Sequence, residues 1–243
     1  MISKEQIKRI RSLHKKKFRD QHGLFIIEGT KMIQEALKHS PNAVQTIYNA
    51  DDSFIDFESS VENIAINKKQ LNQISTLQNP QKHIAVCRYL KSSSVSTDFI
   101  IALDSIQDPG NLGTILRLAA WYGIDQVIAS KETVDVYNPK VVQASMGAVF
   151  TVDINYVDLK EVLQKTDLSI YGAVLNGTSI YQKSVRKEGI LLMGNEGNGI
   201  SDELLPFIQH PISIPQFGKG ESLNVAMATA ILVSEFFRHS DGK

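Results

Sequence analysis

FIIALDSIQDPGNLGTILRLAAWYG, Phe99 to Gly123, joins a continuous apolar run, a polar loop around Pro109 and Gly110, and an apolar-periodic segment ending on a glycine. The run reads as a strand buried on both faces, and the segment after the loop reads as a helix closing at Gly123. The same alternation continues outward. QVIAS, FTVDI, SIYGAVL, GILLMG and PISIP read as strands, and PKVVQASMGA, LKEVLQKT, ELLPFIQ and LNVAMATAILVSEFF as helices. Near-continuous apolar strands separated by amphipathic helices predict an α/β unit on a parallel sheet covered on both faces. Ligands of such sheets sit outside the carboxyl ends of the strands. Four loops fall there: LDSIQDPGN, LNG after SIYGAV, NEGNG after GILLM, and QFGKGES after ISIP.

Upstream, GLFIIEG reads as a strand and TKMIQEALKH as a helix that Thr30 can cap. VQTIYNA, NIAIN, KKQLNQIST and HIAVCRYL extend the pattern, so residues 1–90 form a small α/β unit. The serine-rich run KSSSVST, residues 91–97, is the expected linker, and residues 98–243 form the second domain.

A chain of 243 residues with 42% hydrophobic content can bury a sizeable core. No apolar run approaches the ~18 residues of a membrane span, and the charged opening MISKEQIKRIR is no signal peptide, so cytoplasmic residence is expected. Cys87 is the only cysteine, and the six histidines lack ligand spacing; neither a disulfide nor a metal site is expected. The net charge of zero hides an asymmetry. Met1 to Arg19 carries eight Lys or Arg against Glu5 alone, which leaves the remaining chain at minus seven. Ile7, Ile10 and Leu13 recur at helical spacing, placing an apolar seam on this segment and its cations on the solvent faces. Such a face either neutralises nucleic-acid phosphates or is simply solvated.

The turn LMGNEGNGIS, Leu192 to Ser201, has glycines where a backbone must approach a ligand closely. It is not a phosphate loop. No Lys followed by Ser or Thr comes after the last glycine, Gly194, Gly197 and Gly199 lack dinucleotide-loop spacing, and Glu196 would face a polyanion with like charge. An uncharged or cationic ligand fits better. Read locally, Asn111 is a plausible N-cap, Ser201 can cap the helix that follows it, and Ser222 or Asn224 can open the last helix. Arg117, two turns into its helix, either snorkels or is aimed at a ligand.

Taken together and in order, DPGNLGTILRLA, LLMGNEGNGIS and ISIPQFGKGESLNVAMATAI resemble the three signature motifs of the SpoU (TrmH) family of RNA ribose 2′-O-methyltransferases, in the SPOUT superfamily. FIIEGTKMIQEAL with the basic segment before it resembles that family's N-terminal substrate-binding domain, of ribosomal-protein-L30e type. The resemblance implies a small L30e-like domain followed by a parallel-sheet SPOUT domain whose C-terminal segment forms a deep trefoil knot. It also implies S-adenosylmethionine as cofactor, held by Leu175, Asn176, Gly177, Gly194, Ile214 and Leu223. Asn111, Arg117, Glu196, Ser222 and Asn224 match the family's polar active-site positions. Arg117 would bind the target phosphate and stabilise the developing alkoxide, Asn111 would orient Arg117 or the ribose, and Glu196 would fix the loop and the arginine.

The implied substrate is 23S-type rRNA, gripped by Lys4, Lys8, Arg9, Arg11, Lys15, Lys16 and Lys17. A homodimer through the knot region is implied as well. Gly110 stands where many relatives have His, so the modified nucleotide does not carry over. The rival readings are a tRNA ribose methyltransferase of the same family and an RNA-binding assembly protein with a decayed transferase site.

Overall fold

The computed structural model describes residues 2–50, 61–91 and 98–238. In chain order its regular elements begin with α1 (Lys4–Ser12), α2 (Lys16–His22), β1 (Leu24–Glu28), α3 (Thr30–His39), β2 (Val44–Asn49), β3 (Glu62–Ala65), α4 (Lys68–Ile74) and β4 (His83–Arg88). They continue with β5 (Phe99–Leu103), α5 (Pro109–Tyr122), β6 (Gln126–Ala129), α6 (Pro139–Ser145), β7 (Asp153–Tyr156) and α7 (Leu159–Lys165), then β8 (Ile170–Ser179), β9 (Gly189–Met193), β10 (His210–Ser213) and α8 (Val225–Phe237). No helix among the described residues is long and apolar enough to cross a membrane.

The chain divides into two compact units, and the division departs from the sequence boundary. The first unit contains Met1–Lys91 together with Asp135–Thr151, and the second holds Ser92–Val134 and Val152–Lys243. The expected linker, apart from Lys91, lies outside the described residues.

The first unit is built on a four-stranded sheet in the order β1-β4-β2-β3, antiparallel except for the parallel β2–β3 pair. The expected seam of α1 packs as read: Ile10 and Leu13 are buried against Leu24, Ile26, Ile84 and Val86, with Ile7 partly buried beside them. Ser3 and Gln6 close a capping box at the start of α1, and Asn67 and Gln70 close another on α4. The expected Thr30 cap is corrected. Gly29 is the N-cap of α3, and the Thr30 hydroxyl lies 3.0 Å from Nδ1 of His83.

The inserted segment Asp135–Thr151 is held by two contacts that periodicity could not show. Phe25 of β1 packs its ring at 4.6 Å from Tyr137 and 6.2 Å from Phe150. Arg19, counted among the basic face in sequence, is instead 2% exposed. Its Nη2 and Nε donate to Oδ2 of Asp135 at 2.6 and 3.2 Å, and its Nη1 donates to the carbonyls of Leu13 and His14, both at 3.0 Å. One guanidinium thereby ends the α1–α2 turn and anchors the insertion.

The second unit is a six-stranded, wholly parallel sheet in the order β10-β8-β9-β5-β6-β7. A parallel sheet needs cover on both faces, and the burial matches: all five residues of β9 are buried. Ala102, Ile128, Ile190 and Leu192 meet Leu159, Leu163 and Leu204 in one cluster. Phe99 and Tyr171 meet Phe236 of α8 at 5.0 and 4.9 Å between ring centroids. The expected helix ELLPFIQ is corrected to a single 3-10 turn, Leu205–Phe207, consistent with Pro206 inside it.

Breaking a buried ion pair strands a charge, at a cost of about 3–5 kcal/mol. Arg19→Met should therefore lower the unfolding free energy by that order in a denaturant titration. Arg19→Met combined with Asp135→Asn should recover part of the loss, because no bare carboxylate then remains.

Candidate active site

The strand order answers what periodicity left open. β10, β8, β9 and β5 are consecutive neighbours, so the loops at their carboxyl ends form one row. Each loop has a local reason for its shape. β8 continues through Leu175, Asn176 and Gly177, which the sequence placed in a loop. Its pairing with β10 nevertheless jumps from Pro211–Gly172 to Ile212–Thr178, so residues 173–177 arch out of register. A Cβ on Gly177 would lie 2.6 Å from the carbonyl carbon of Ile212, so only glycine permits that passage.

After β9 the chain turns sharply. A Cβ on Gly194 would run into the backbone of Gly199 and Ile200, which fold back across it. Asn195 and Gly199 exchange backbone hydrogen bonds at 2.9 and 3.0 Å, and Asn195 Oδ1 accepts from the N–H groups of Gly197 and Asn198. Nδ2 of Asn195 donates to the carbonyl of Ser105 at 2.7 Å. The far end of the turn is tied to the same β5 loop. Buried Asp104 accepts through Oδ2 from the backbone N–H and the hydroxyl of Ser201, both at 2.7 Å. This corrects the expected role of Ser201 as a helix cap. Ser105 completes the corner at φ 57°, a left-handed conformation that a non-glycine residue rarely adopts.

Asn111 was expected to cap α5, and the structure assigns that cap to Asp108. Its Oδ1 accepts from the Asn111 N–H at 2.8 Å, with Pro109 in the first helical position. Asn111 is left with its side chain for other work. Its Nδ2 donates to Oε1 of Glu196 at 2.8 Å, and its Oδ1 accepts from Nδ2 of Asn224 at 2.8 Å. Asn224 itself caps α8, its Oδ1 accepting from the N–H groups of Ala226 and Met227. Because the open end of α8 supplies only donors, the Asn224 amide can face only one way. That in turn fixes Asn111 with its amide nitrogen toward Glu196, so every donor in the chain points at the carboxylate.

The expected polar residues thus divide. Asn111, Glu196 and Asn224 are joined directly, although they come from three separate motifs. Arg117 and Ser222 are exposed and make no hydrogen bond or ion pair among the described residues. Glu196 bonds Asn111 and Asn195, so the expected link from Glu196 or Asn111 to Arg117 is absent here. Gly110, Thr114, Arg117 and Trp121 fall on one exposed stripe of α5, and the Trp121 side chain is 86% exposed. Leu223 and Met227 are also exposed apolar groups, and Ile214 follows β10 half-buried.

Sequence reading missed Asp104, Ser105, Asp108 and Asn195. Asp108 before Pro109 and the Asn195-Glu196-Gly197 turn carried local signals of a helix start and an Asx turn. Asp104 carried none, because its partner Ser201 is far away in sequence.

The expected basic face is exposed at Lys4, Lys8, Arg9, Arg11, Lys15, Lys16 and Lys17. Lys16 is partly engaged with Asp20 at 3.3 Å.

Comparison with known proteins bears on this arrangement. Residues 98–234 match the SpoU rRNA Methylase family, and residues 4–85 match the MRM3-like substrate binding domain. The chain is 32% identical over 94% of its length, and 94% of the relative's, to the 23S rRNA (guanosine(2553)-2′-O)-methyltransferase RlmP of Bacillus subtilis. A putative RNA methyltransferase of the TrmH family from Porphyromonas gingivalis superposes with a TM-score of 0.89 at 36% identity, covering 99% of this chain and 100% of that one. An rRNA methyltransferase from Sinorhizobium meliloti, solved with AdoMet bound, superposes at 0.87 with 28% identity, covering 100% and 97%. With its motif loops aligned along one end of one parallel sheet and most of its second unit matched, the chain belongs to the SpoU rRNA methylase family.

Proposed function

We propose that the protein transfers a methyl group from S-adenosylmethionine to a ribose 2′-hydroxyl of rRNA, in the cytoplasm. The observation that carries this reading is the oriented chain from Asn224 through Asn111 to Glu196, set among the carboxyl-end loops of a SpoU-family sheet. The loops suit the cofactor chemically. The β9 turn contains no cation for a polyphosphate, and Glu196 favours a positively charged neighbour. The arch at Leu175, Asn176 and Gly177, the turn from Gly194, and the segment from Ile214 to Leu223 offer backbone groups and apolar side chains to an adenosine. We place the family's trefoil knot here too, with the close passage of Ile212 over Gly177 in support.

S-adenosylmethionine supplies a methyl group already activated on a sulfonium. The protein's task is then alignment of the hydroxyl and management of its proton, worth about 7–11 kcal/mol and about 10²- to 10⁴-fold. A guanidinium keeps its proton and has no free lone pair to offer, so Arg117 does not serve as the base. Its planar fork instead binds the target phosphate and stabilises the developing alkoxide. With no partner among the described residues, its donors are available for that purpose. Glu196, held by Asn111, fixes the turn beside the hydroxyl. Ser222 and Asn224 tie the last loop to both ligands.

Exposed Trp121, Met227 and Leu223 favour a homodimer in which a second copy covers this face. The exposed cations of α1 and α2 grip RNA phosphates.

In a single-turnover assay Arg117→Lys should methylate rRNA about 10²-fold more slowly or worse, with cofactor affinity nearly unchanged. A near-native rate would overturn the role. Asn111→Asp, which sets a second carboxylate against Glu196, should slow the reaction more than Asn111→Ala. For the dimer, sedimentation should show a two-chain particle that Trp121→Glu or Met227→Glu dissociates, and an active monomer would refute it. Replacing Lys8, Arg11 and Lys15 with Gln should flatten the log–log salt dependence of RNA affinity by about 2 to 3, with cofactor binding intact.

A further inference from the structure

A cleft of about 640 Å³ opens in the first unit between α1 and the sheet, within the range of about 300–1,000 Å³ typical of small-ligand sites. Its accessible surface is mostly polar, and apolar side chains close it from beneath. Ile10 and Leu13 from α1 meet Leu24, Val44 and Val86 there, all buried. Pro41, Val61 and Ile64 are the apolar groups that still reach its surface, so a planar ligand here is held chiefly by hydrogen bonds along its edge.

The rim has polar groups that are partly committed and partly free. Arg88 belongs to the wall: its Nη1 donates to the Asn42 carbonyl at 3.2 Å, and the Gln45 amide oxygen, turned toward it, accepts from Nε and Nη2 at 3.2 and 3.3 Å. Thr46 donates to Oε2 of Glu62 at 3.4 Å, leaving Oε1 without a donor among the described residues. The Arg9 side chain has no hydrogen bond or ion pair among the described residues. Arg9 and Glu62 make no ion pair with each other among the described residues, and the charges of both act on Tyr48. Burial and the Glu62 charge push the Tyr48 hydroxyl up from its ordinary pKa, and Arg9 pulls against that shift. A cationic fork without an acceptor among the described residues and a carboxylate with one uncommitted oxygen line the same cleft.

The fitting ligand presents paired donors to a carboxylate and acceptors to a guanidinium, on a planar body. Guanine does so: N1–H and the 2-amino group are adjacent donors, and O6 and N7 are the acceptors that arginine reads. Adenine, cytosine and uracil each offer a single donor position on the corresponding edge. Unstacked bases in single-stranded RNA are read through such edges. We propose that this cleft takes an unpaired guanine base of the RNA substrate, with Glu62 accepting from N1–H and the 2-amino group and Arg9 donating to the acceptor edge. The proposal rests on the reading of RNA as substrate. The site lies wholly within the first unit, apart from the residues assigned to methyl transfer.

The test uses the full-length protein and three fluorescent heptanucleotides: oligoadenylate with a central guanine, the same with inosine, and oligoadenylate alone. Fluorescence anisotropy should show the guanine probe binding about 5-fold or more tighter than oligoadenylate, with inosine, which lacks the 2-amino donor, in between. Glu62→Gln, on an exposed position of an edge strand, should abolish the preference without changing the melting temperature. Arg9→Gln should weaken the guanine probe more than the adenine probe. Equal affinity for all three probes, or a preference that survives Glu62→Gln, overturns the proposal. So does guanosine monophosphate binding as tightly as the guanine heptamer, which would make the free nucleotide the ligand. Cofactor titration and rRNA methylation run on the same preparation separate the two readings. Methyl transfer without guanine preference removes the cleft alone, and guanine preference without methyl transfer removes the proposed reaction alone.

Discussion

The two-sided hydrogen bond of the Asn111 amide is the constraint on which the second unit's site depends. An amide presents a donor and an acceptor on opposite atoms, so it can join two groups only if one accepts and the other donates. Here the acceptor is the Glu196 carboxylate and the donor is Asn224, whose own direction is set by the open N–H groups of α8. A helix end, a turn and a second helix are thereby locked in one sense. The turn cannot move relative to α5 without breaking a bond to a charged group, which is worth more than a neutral one, and α8 is tied to both through the neutral bond from Asn224 to Asn111.

That bond forms only because backbone geometry brings the three loops together first. Parallel pairing of β5 with β9 sets Leu103 beside Met193, so the residues that follow each strand leave the sheet side by side. Asp104 then accepts both donors of Ser201 across that gap, and Asn195 reaches the Ser105 carbonyl from the other side. Between these ties the turn has no slack, and the close approach at Gly194 follows. The glycine is required by packing of the protein on itself. Ligand approach, the first reason for expecting glycine here, is not needed to explain that residue.

Legibility in the sequence followed the range of the interaction. The strands of the second unit were readable because burial on both faces leaves a continuous apolar run, and the end of α5 was readable at Gly123, which adopts φ 64°. Strand order was not, since periodicity records how deeply a residue is buried and not beside what. The three motifs singled out Asn111, Glu196 and Asn224, whereas the bonds among them required the folded chain. Asn111 and Asp108 are both good caps, and the sequence reading took Asn111; Pro109 in the first helical position is the local signal that favours Asp108. Arg19 shows the opposite failure. In sequence it is one more cation in a basic stretch, and only its distant partner Asp135 makes it a buried anchor.

The contrast between Arg19 and Arg117 is instructive for function. Both are arginines on helices, and both have long apolar stems. The three donating nitrogens of Arg19 are consumed by protein acceptors inside the first unit, so removing it costs stability. Arg117 has no acceptor among the described residues and sits on an exposed stripe with Gly110, Thr114 and Trp121, so its fork satisfies none of their acceptors. A guanidinium placed two turns along the helix that also carries Asn111, yet left unsatisfied, is available to an anionic ligand. Asn224, Asn111 and Glu196 are bonded in one chain, and Arg117 stands outside it. The candidate site thus combines an inner edge of bonded side chains with an outer cation that has no acceptor among the described residues.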